Sequence, residues 1–227
     1  MPVFQLSDEL IFPDPSFAEP EGLLAVGGDL SSERLLTAYA NGIFPWFSEN
    51  GPILWWSPDP RFILLPEKFK VSHSLQQKIK KNIFTVKIDT NFEQVINSCA
   101  ETERKYEEGT WITKEMKKAY IGLHHEGFAH SVETYVEGNL VGGLYGVSLG
   151  KAFFGESMFY TMTDASKVAL YYLVQKVKGF GFQFIDSQVE TDHLMSLGAE
   201  LISRNEYLKL LKGAILTTPS KTGKWQI

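Results

Sequence analysis

His130-Ser-Val-Glu-Thr-Tyr-Val-Glu137-Gly-Asn-Leu140-Val-Gly-Gly-Leu-Tyr-Gly-Val-Ser148-Leu-Gly-Lys151-Ala-Phe-Phe-Gly-Glu-Ser-Met158 is the stretch whose pattern decides the fold. It holds three runs rich in β-branched and aromatic residues, His130 to Glu137, Leu140 to Ser148 and Lys151 to Met158. Only the turn pairs Gly138-Asn139 and Leu149-Gly150 separate them. Strand-forming runs joined by two-residue turns pair antiparallel, so the stretch predicts a meander. Downstream, Asp164 stands at a helix-cap position, a helix runs roughly from Ala165 to Lys178, and Gly179 and Gly181 end it before a strand from Phe182 to Val189. A helix between two strands at this spacing is a crossover, which sets the last strand parallel to the third run of the meander. The expected sheet is therefore mixed.

Working outward, the segment after Arg61 reads as a strand from Phe62 to Leu65, a helix from Ser74 to Lys81, a strand from Phe84 to Ile88 and a helix from Phe92 to Glu103. A further helix is opened by Thr113 and closed near Gly127. The first sixty or so residues differ, being rich in Pro, Gly and aromatics with one clear helix, Ser32 to Asn41. The expected class is α+β, with a loop-rich N-terminal lobe over residues 1–61 and a mixed-sheet domain over 62–227.

With 227 residues, 44% hydrophobic and 22% charged, the chain has the composition of a globular protein that can bury a core. The single Cys99 excludes an internal disulfide framework and reads as buried helix filler. No apolar run is long enough to span a bilayer, and the first residues lack the pattern of a signal peptide, so a cytoplasmic location is expected. A net charge of -5 excludes a general nucleic-acid coat, leaving only local contact with RNA. Lys68, Lys70, Lys78, Lys80, Lys81 and Lys87 fall within twenty residues with no acid among them, a segment that reads equally as a phosphate-facing patch or a solvated helix face. His124 and His125 are adjacent on a helix and point apart, and His73, His130 and His193 are isolated, so no metal or other cofactor is expected.

Three polar residues stand out in apolar surroundings. Asp186 and Gln188 lie two apart on the strand Phe182 to Val189, where alternation sends both to one face. Glu156 lies in Phe153-Phe-Gly-Glu-Ser-Met-Phe159, on the neighbouring strand, where a carboxylate needs a partner. Gly155 beside it leaves room for another backbone or a ligand. These residues suggest a site, while a solvent-facing strand or a structural ion pair accounts for the same pattern. Phe44, Trp46, Phe47, Trp55, Trp56 and Phe62 crowd into nineteen residues among prolines, so turns display them, either to stack on splayed bases or to pack the lobe itself.

Six blocks in order along the chain, Gly22-Leu-Leu-Ala-Val-Gly-Gly-Asp-Leu30, Gly42-Ile-Phe-Pro-Trp-Phe47, Trp55-Trp-Ser-Pro-Asp-Pro-Arg61, Gly109-Thr-Trp-Ile-Thr113, Gly155-Glu-Ser-Met-Phe159 and Ile185-Asp-Ser-Gln-Val189, resemble the leucyl/phenylalanyl-tRNA-protein transferases. The stretch after Lys212 departs from the family pattern. The resemblance implies an acetyltransferase-like (GNAT-type) domain behind a small N-terminal lobe. It also implies transfer of Leu or Phe, less readily Met, from Leu-tRNA or Phe-tRNA to the N-terminal Arg or Lys of an acceptor protein, marking it for degradation. Carried over by position, Asp186, Gln188 and Glu156 match the catalytic residues, and Trp46, Tyr39, Trp111 and Tyr120 match the region receiving the 3′ aminoacyl-adenosine. Phe153, Met158 and Ile185 match the walls of the amino-acid pocket, and Lys78, Lys80 and Lys81 would meet the acceptor-stem backbone. No cofactor is implied, and the chain is expected to act as a monomer.

An aminoacyl ester is already activated toward amines, so the enzyme has to supply alignment and a path for the amine's proton. The expected arrangement has Asp186 bonded to the Gln188 side-chain amide, Gln188 orienting the amine, and Glu156 facing the acceptor's cation. Two other readings compete. An acyl-CoA-dependent N-acetyltransferase would need a glycine-rich turn ahead of the crossover helix, where this chain has Tyr160-Thr-Met-Thr-Asp-Ala-Ser-Lys167. A binding module for tRNA ends or basic peptides would use the same polar residues for recognition alone.

Overall fold

A computed structural model describes residues 3–102, 110–216 and 222–225. Glu103 and Gly109, which the sequence reading assigned to a helix end and a motif, lie outside them. The N-terminal lobe carries β1 (Phe4–Leu6), β2 (Leu23–Gly27), α1 (Ser32–Ala40), β3 (Phe44–Pro45) and β4 (Leu54–Trp56). Its strands form a four-stranded sheet in the order β1-β2-β4-β3. Trp55 is fully buried beneath it and donates its indole N–H to the Gly27 carbonyl at 2.9 Å, so the proline-punctuated aromatics largely pack the lobe.

The rest of the chain runs β5 (Arg61–Leu64), α2 (His73–Lys80), β6 (Thr85–Ile88), α3 (Phe92–Glu101), α4 (Lys114–His125), β7 (Ala129–Val136), β8 (Asn139–Leu149) and β9 (Ala152–Tyr160). It continues through α5 (Ala165–Gly179), β10 (Phe184–Gln188), α6 (Asp192–Ser196), β11 (Glu200–Ile202) and α7 (Arg204–Leu216). Seven strands form one sheet in the order β11-β5-β10-β9-β8-β7-β6. The meander β7-β8-β9 is antiparallel and β10 returns parallel to β9, the mixed arrangement expected from the turns and the crossover helix. α5 packs on one face, where Gly142 clears its way: a Cβ there would lie 2.5 Å from the Ala165 Cβ. The other face is covered by α1, α3, α4 and α7, and one apolar cluster runs from Trp55 and Tyr39 in the lobe through Tyr120 to Phe154 and Phe184 in the large sheet.

Strand register shifts at several places among the described residues, and two of these shifts fall on β9 and β10. The β8 pairing passes from Gly146↔Gly155 to Tyr145↔Ser157, so Glu156 is an extra residue in β9. The β5 pairing passes from Ile63↔Asp186 to Phe62↔Gln188, so Ser187 is an extra residue in β10. An inserted residue reverses the facing of everything after it. Phe154 accordingly packs in the cluster shared with the lobe, whereas Met158, four residues on, packs toward α5. Asp164 also differs from expectation. It takes the left-handed conformation at φ 72° without capping α5 through its side chain, and its carboxylate instead pairs with Lys78 at 2.6 Å and Lys167 at 3.2 Å.

Candidate active site

β9 and β10 pair only from Phe184↔Ala152 to Asp186↔Phe154. Beyond that point β9 stays with β8 and β10 with β5, so the two parallel strands part and a cleft opens between the bulges at Glu156 and Ser187. The cleft is a cavity of about 590 Å³, with Phe153, Met158, Ile185, Leu170 and Leu173 among its apolar walls. Trp46 and Trp111 line its lobe side. Polar groups are few, and Glu156 and Gln188 lie together, the Gln188 side-chain amide donating toward Glu156 Oε1 at 3.5 Å.

Glu156 is half-buried and held from behind. The Tyr39 hydroxyl lies 2.7 Å from Oε1 and the Tyr120 hydroxyl 3.0 Å from Oε2, and the two hydroxyls are within hydrogen-bond distance of each other. Removal from water pushes the carboxyl pKa up to about 7, against the lowering effect of the tyrosine bonds. The proton count agrees, because three contacts among three groups close fully only if the carboxyl contributes a proton besides the two phenols. Tyr39 and Tyr120 are themselves fully buried and their own pKa values are raised by burial. They stand behind the acid and are not among the residues that line the cleft.

Asp186 faces away from the cleft. It takes a two-pronged ion pair from Arg61, at 2.9 Å from Nε to Oδ1 and 2.7 Å from Nη2 to Oδ2, and the Tyr207 hydroxyl donates to Oδ2 at 2.7 Å. Arg61 lies between the Phe44 and Tyr207 rings, and the whole assembly is buried. The expected bond from Asp186 to the Gln188 side-chain amide is absent from this arrangement. Asp186 Oδ1 instead accepts the Gln188 backbone N–H at 2.9 Å, closing over the bulged Ser187, and Gln188 sits at φ 57°. The inserted residue breaks the alternation that would have put both side chains on one face.

Two further residues escaped the sequence reading. His193, set aside as isolated, lines the cleft, and its Nε2 is buried with no partner among the described residues. Burial lowers its pKa. Arg61 is invisible as a partner of Asp186 because 125 positions separate them. In the basic segment Lys78 is engaged by Asp164, while Lys80 and Lys81 are exposed. Among the described residues no group of His, Cys, Asp and Glu is placed to hold a metal, and no helix is long and apolar enough to cross a membrane.

This protein has a mixed sheet whose parallel neighbours part beside an acid and an amide, leaving a cleft in which an amine and an activated acyl group can meet between two strands. Its family is that of the leucyl/phenylalanyl-tRNA protein transferases, to which the chain belongs: the family model matches residues 63–212, and the model of that family's N-terminal domain matches residues 28–59. The leucyl/phenylalanyl-tRNA–protein transferase of Desulfatibacillum aliphaticivorans is 54% identical over 100% of this chain and 97% of its own. That of Syntrophobacter fumaroxidans is 58% identical over 93% of this chain and 90% of its own. Among solved structures, a GCN5-related N-acetyltransferase from Kribbella flavida superposes with a TM-score of 0.39 at 10% identity, covering 72% of this chain and 58% of that one.

Proposed function

We propose that this protein transfers Leu or Phe, and less readily Met, from aminoacyl-tRNA to the N-terminal Arg or Lys of acceptor proteins, marking them for degradation. The reading divides the chain into a lobe, residues 1–61, and a catalytic domain, residues 62–227, acting as a cytoplasmic monomer. The observation that carries it, beside membership of the family, is the pair Glu156 and Gln188 brought together in a cleft whose walls are largely apolar.

In this reading Phe153, Met158, Ile185, Leu170 and Leu173 hold the aminoacyl side chain, and Trp46 and Trp111 on the lobe side flank the terminal adenosine. An apolar pocket discriminates by size and shape at roughly 1–3 kcal/mol per methylene, which admits Met beside Leu and Phe. Lys80 and Lys81, with Lys78 anchored to Asp164, meet the acceptor-stem backbone without reading its sequence.

No covalent intermediate is needed, because the ester carbonyl is already activated. The amine nitrogen bonds to the carbonyl carbon, the ester bond to the ribose oxygen breaks, and one proton of the amine must leave. Gln188 orients the attacking amine, and Asp186, which bonds the backbone of Gln188, is a positioning residue. Glu156, with a pKa near 7, accepts the proton and passes it to the departing ribose oxygen, which leaves as a hydroxyl, and its tyrosine partners keep the carboxyl hydrogen-bonded in either charge state. A cationic acceptor in the cleft favours the ionised carboxylate, so acceptor binding also readies the base.

The test is transfer of radiolabelled leucine from leucyl-tRNA to a peptide beginning with Arg, beside an N-acetylated copy and an acetyl-CoA reaction. Label on the free-amine peptide alone is expected. Acetylation without leucine transfer would mean that the cleft takes a different acyl donor.

A further inference from the structure

We infer that residues 222–225 shape the aminoacyl pocket from behind, with Trp225 the positioning residue that sets discrimination between Leu and Phe donors; this rests on reading Phe153 as a wall of that pocket. Trp225 is 3% exposed although it lies far along the chain from any regular element it touches. Its backbone N–H donates to Asp89 Oδ2 at 2.7 Å, and Gly223 donates to the Gly127 carbonyl at 3.1 Å. The indole stacks on the His130 ring at 3.8 Å between centroids and 15° between planes. His130 in turn is held between Asp89, 2.8 Å from Nδ1, and Ser148, 3.1 Å from Nε2. This Asp–His–Ser line has the connectivity of a catalytic relay, but all three residues are buried and the indole covers the imidazole, so its role is to seat the segment.

The indole then reaches the pocket through Phe153, whose ring centroid is 5.9 Å away, with Phe180 and Phe182 edge-on at 5.3 and 5.8 Å. Phe153 is fully buried, lines the cleft, and cannot retreat toward β8: a Cβ on Gly146 would stand 2.6 Å from its ring, so the glycine is already used to admit it. The ring is bounded by strand backbone on one side and by Trp225 on another. Removing the indole gives Phe153 somewhere to go, and the pocket grows at that wall. A leucyl side chain then leaves space unfilled, while a phenylalanyl side chain fills it.

The experiment compares kcat and KM for leucyl-tRNA and phenylalanyl-tRNA in the full chain and in Trp225→Leu, Trp225→Phe and Phe153→Leu. For Trp225→Leu the preference for phenylalanyl over leucyl donor is expected to rise about tenfold, carried by KM for the leucyl donor, and Trp225→Phe restores most of the native ratio. Phe153→Leu is expected to shift the ratio by itself. If Phe153→Leu shifts it and a folded Trp225→Leu does not, the inference is overturned while the pocket reading stands. If neither shifts it, both fall. Should Trp225→Leu fail to fold, a native donor ratio in a folded Trp225→Ala with Phe153 intact, or loss of kcat equally for both donors in Trp225→Phe, would equally overturn it.

Discussion

An acid whose pKa lies near 7 changes charge across the range in which an α-amine also begins to lose its proton, and Glu156 is such an acid. If it accepts the amine's proton, the ionised form is the active one, so kcat/KM should rise with pH through about 7. Glu156→Gln should lie about 10²-fold lower and keep only the rise contributed by the amine, a difference read from paired pH–rate profiles. Profiles of the same shape in both proteins would remove Glu156 from the proton path. The neighbouring Asp186 makes a different prediction. Asp186→Ala strands the buried Arg61 charge and should cost about 3–5 kcal/mol of stability in urea unfolding. Asp186→Asn keeps an oxygen for the Gln188 N–H, so it should retain more turnover than Asp186→Ala at equal fraction folded.

At the scale of elements, the close packing of α5 on the meander depends on Gly142, and Gly142→Ala should destabilise by about 1–3 kcal/mol. Adding Ala165→Gly should recover part of that loss, since the clash is between those two Cβ positions, and a double-mutant cycle in urea measures the coupling. The same elements show what the sequence disclosed. The meander, the crossover helix and the parallel return were legible because hydrophobic runs, turn pairs and glycine stops are local signals. Glu156 was legible because a lone carboxylate in an apolar strand is anomalous. The extra residues at Glu156 and Ser187 were not, since a bulge is created by pairing with a neighbouring strand and leaves the strand's own residues looking ordinary. The orientation of Asp186 was misjudged for that reason, and its partners Arg61 and Tyr207 arrive from distant parts of the chain.

For the whole molecule, a net charge of -5 leaves the tRNA to be held by a local patch, so use of aminoacyl-tRNA should weaken steeply with salt. Replacing Lys80 and Lys81 together with Ala should raise KM for aminoacyl-tRNA, leave KM for the peptide unchanged and flatten the log–log salt slope by roughly 1.5, as expected for two lost phosphate contacts. An unchanged slope would place the acceptor stem elsewhere. The order of the large sheet carries one more consequence. β5 lies between β10 and β11, so the first strand of that sheet to leave the ribosome waits for partners at residues 184–188 and 200–202. The opening between β9 and β10 cannot form before then, and Trp225 comes later still. A nascent chain therefore carries Tyr39 for most of its synthesis, and Tyr120 and Glu156 over the stretches that precede β10, without a cleft to put them in.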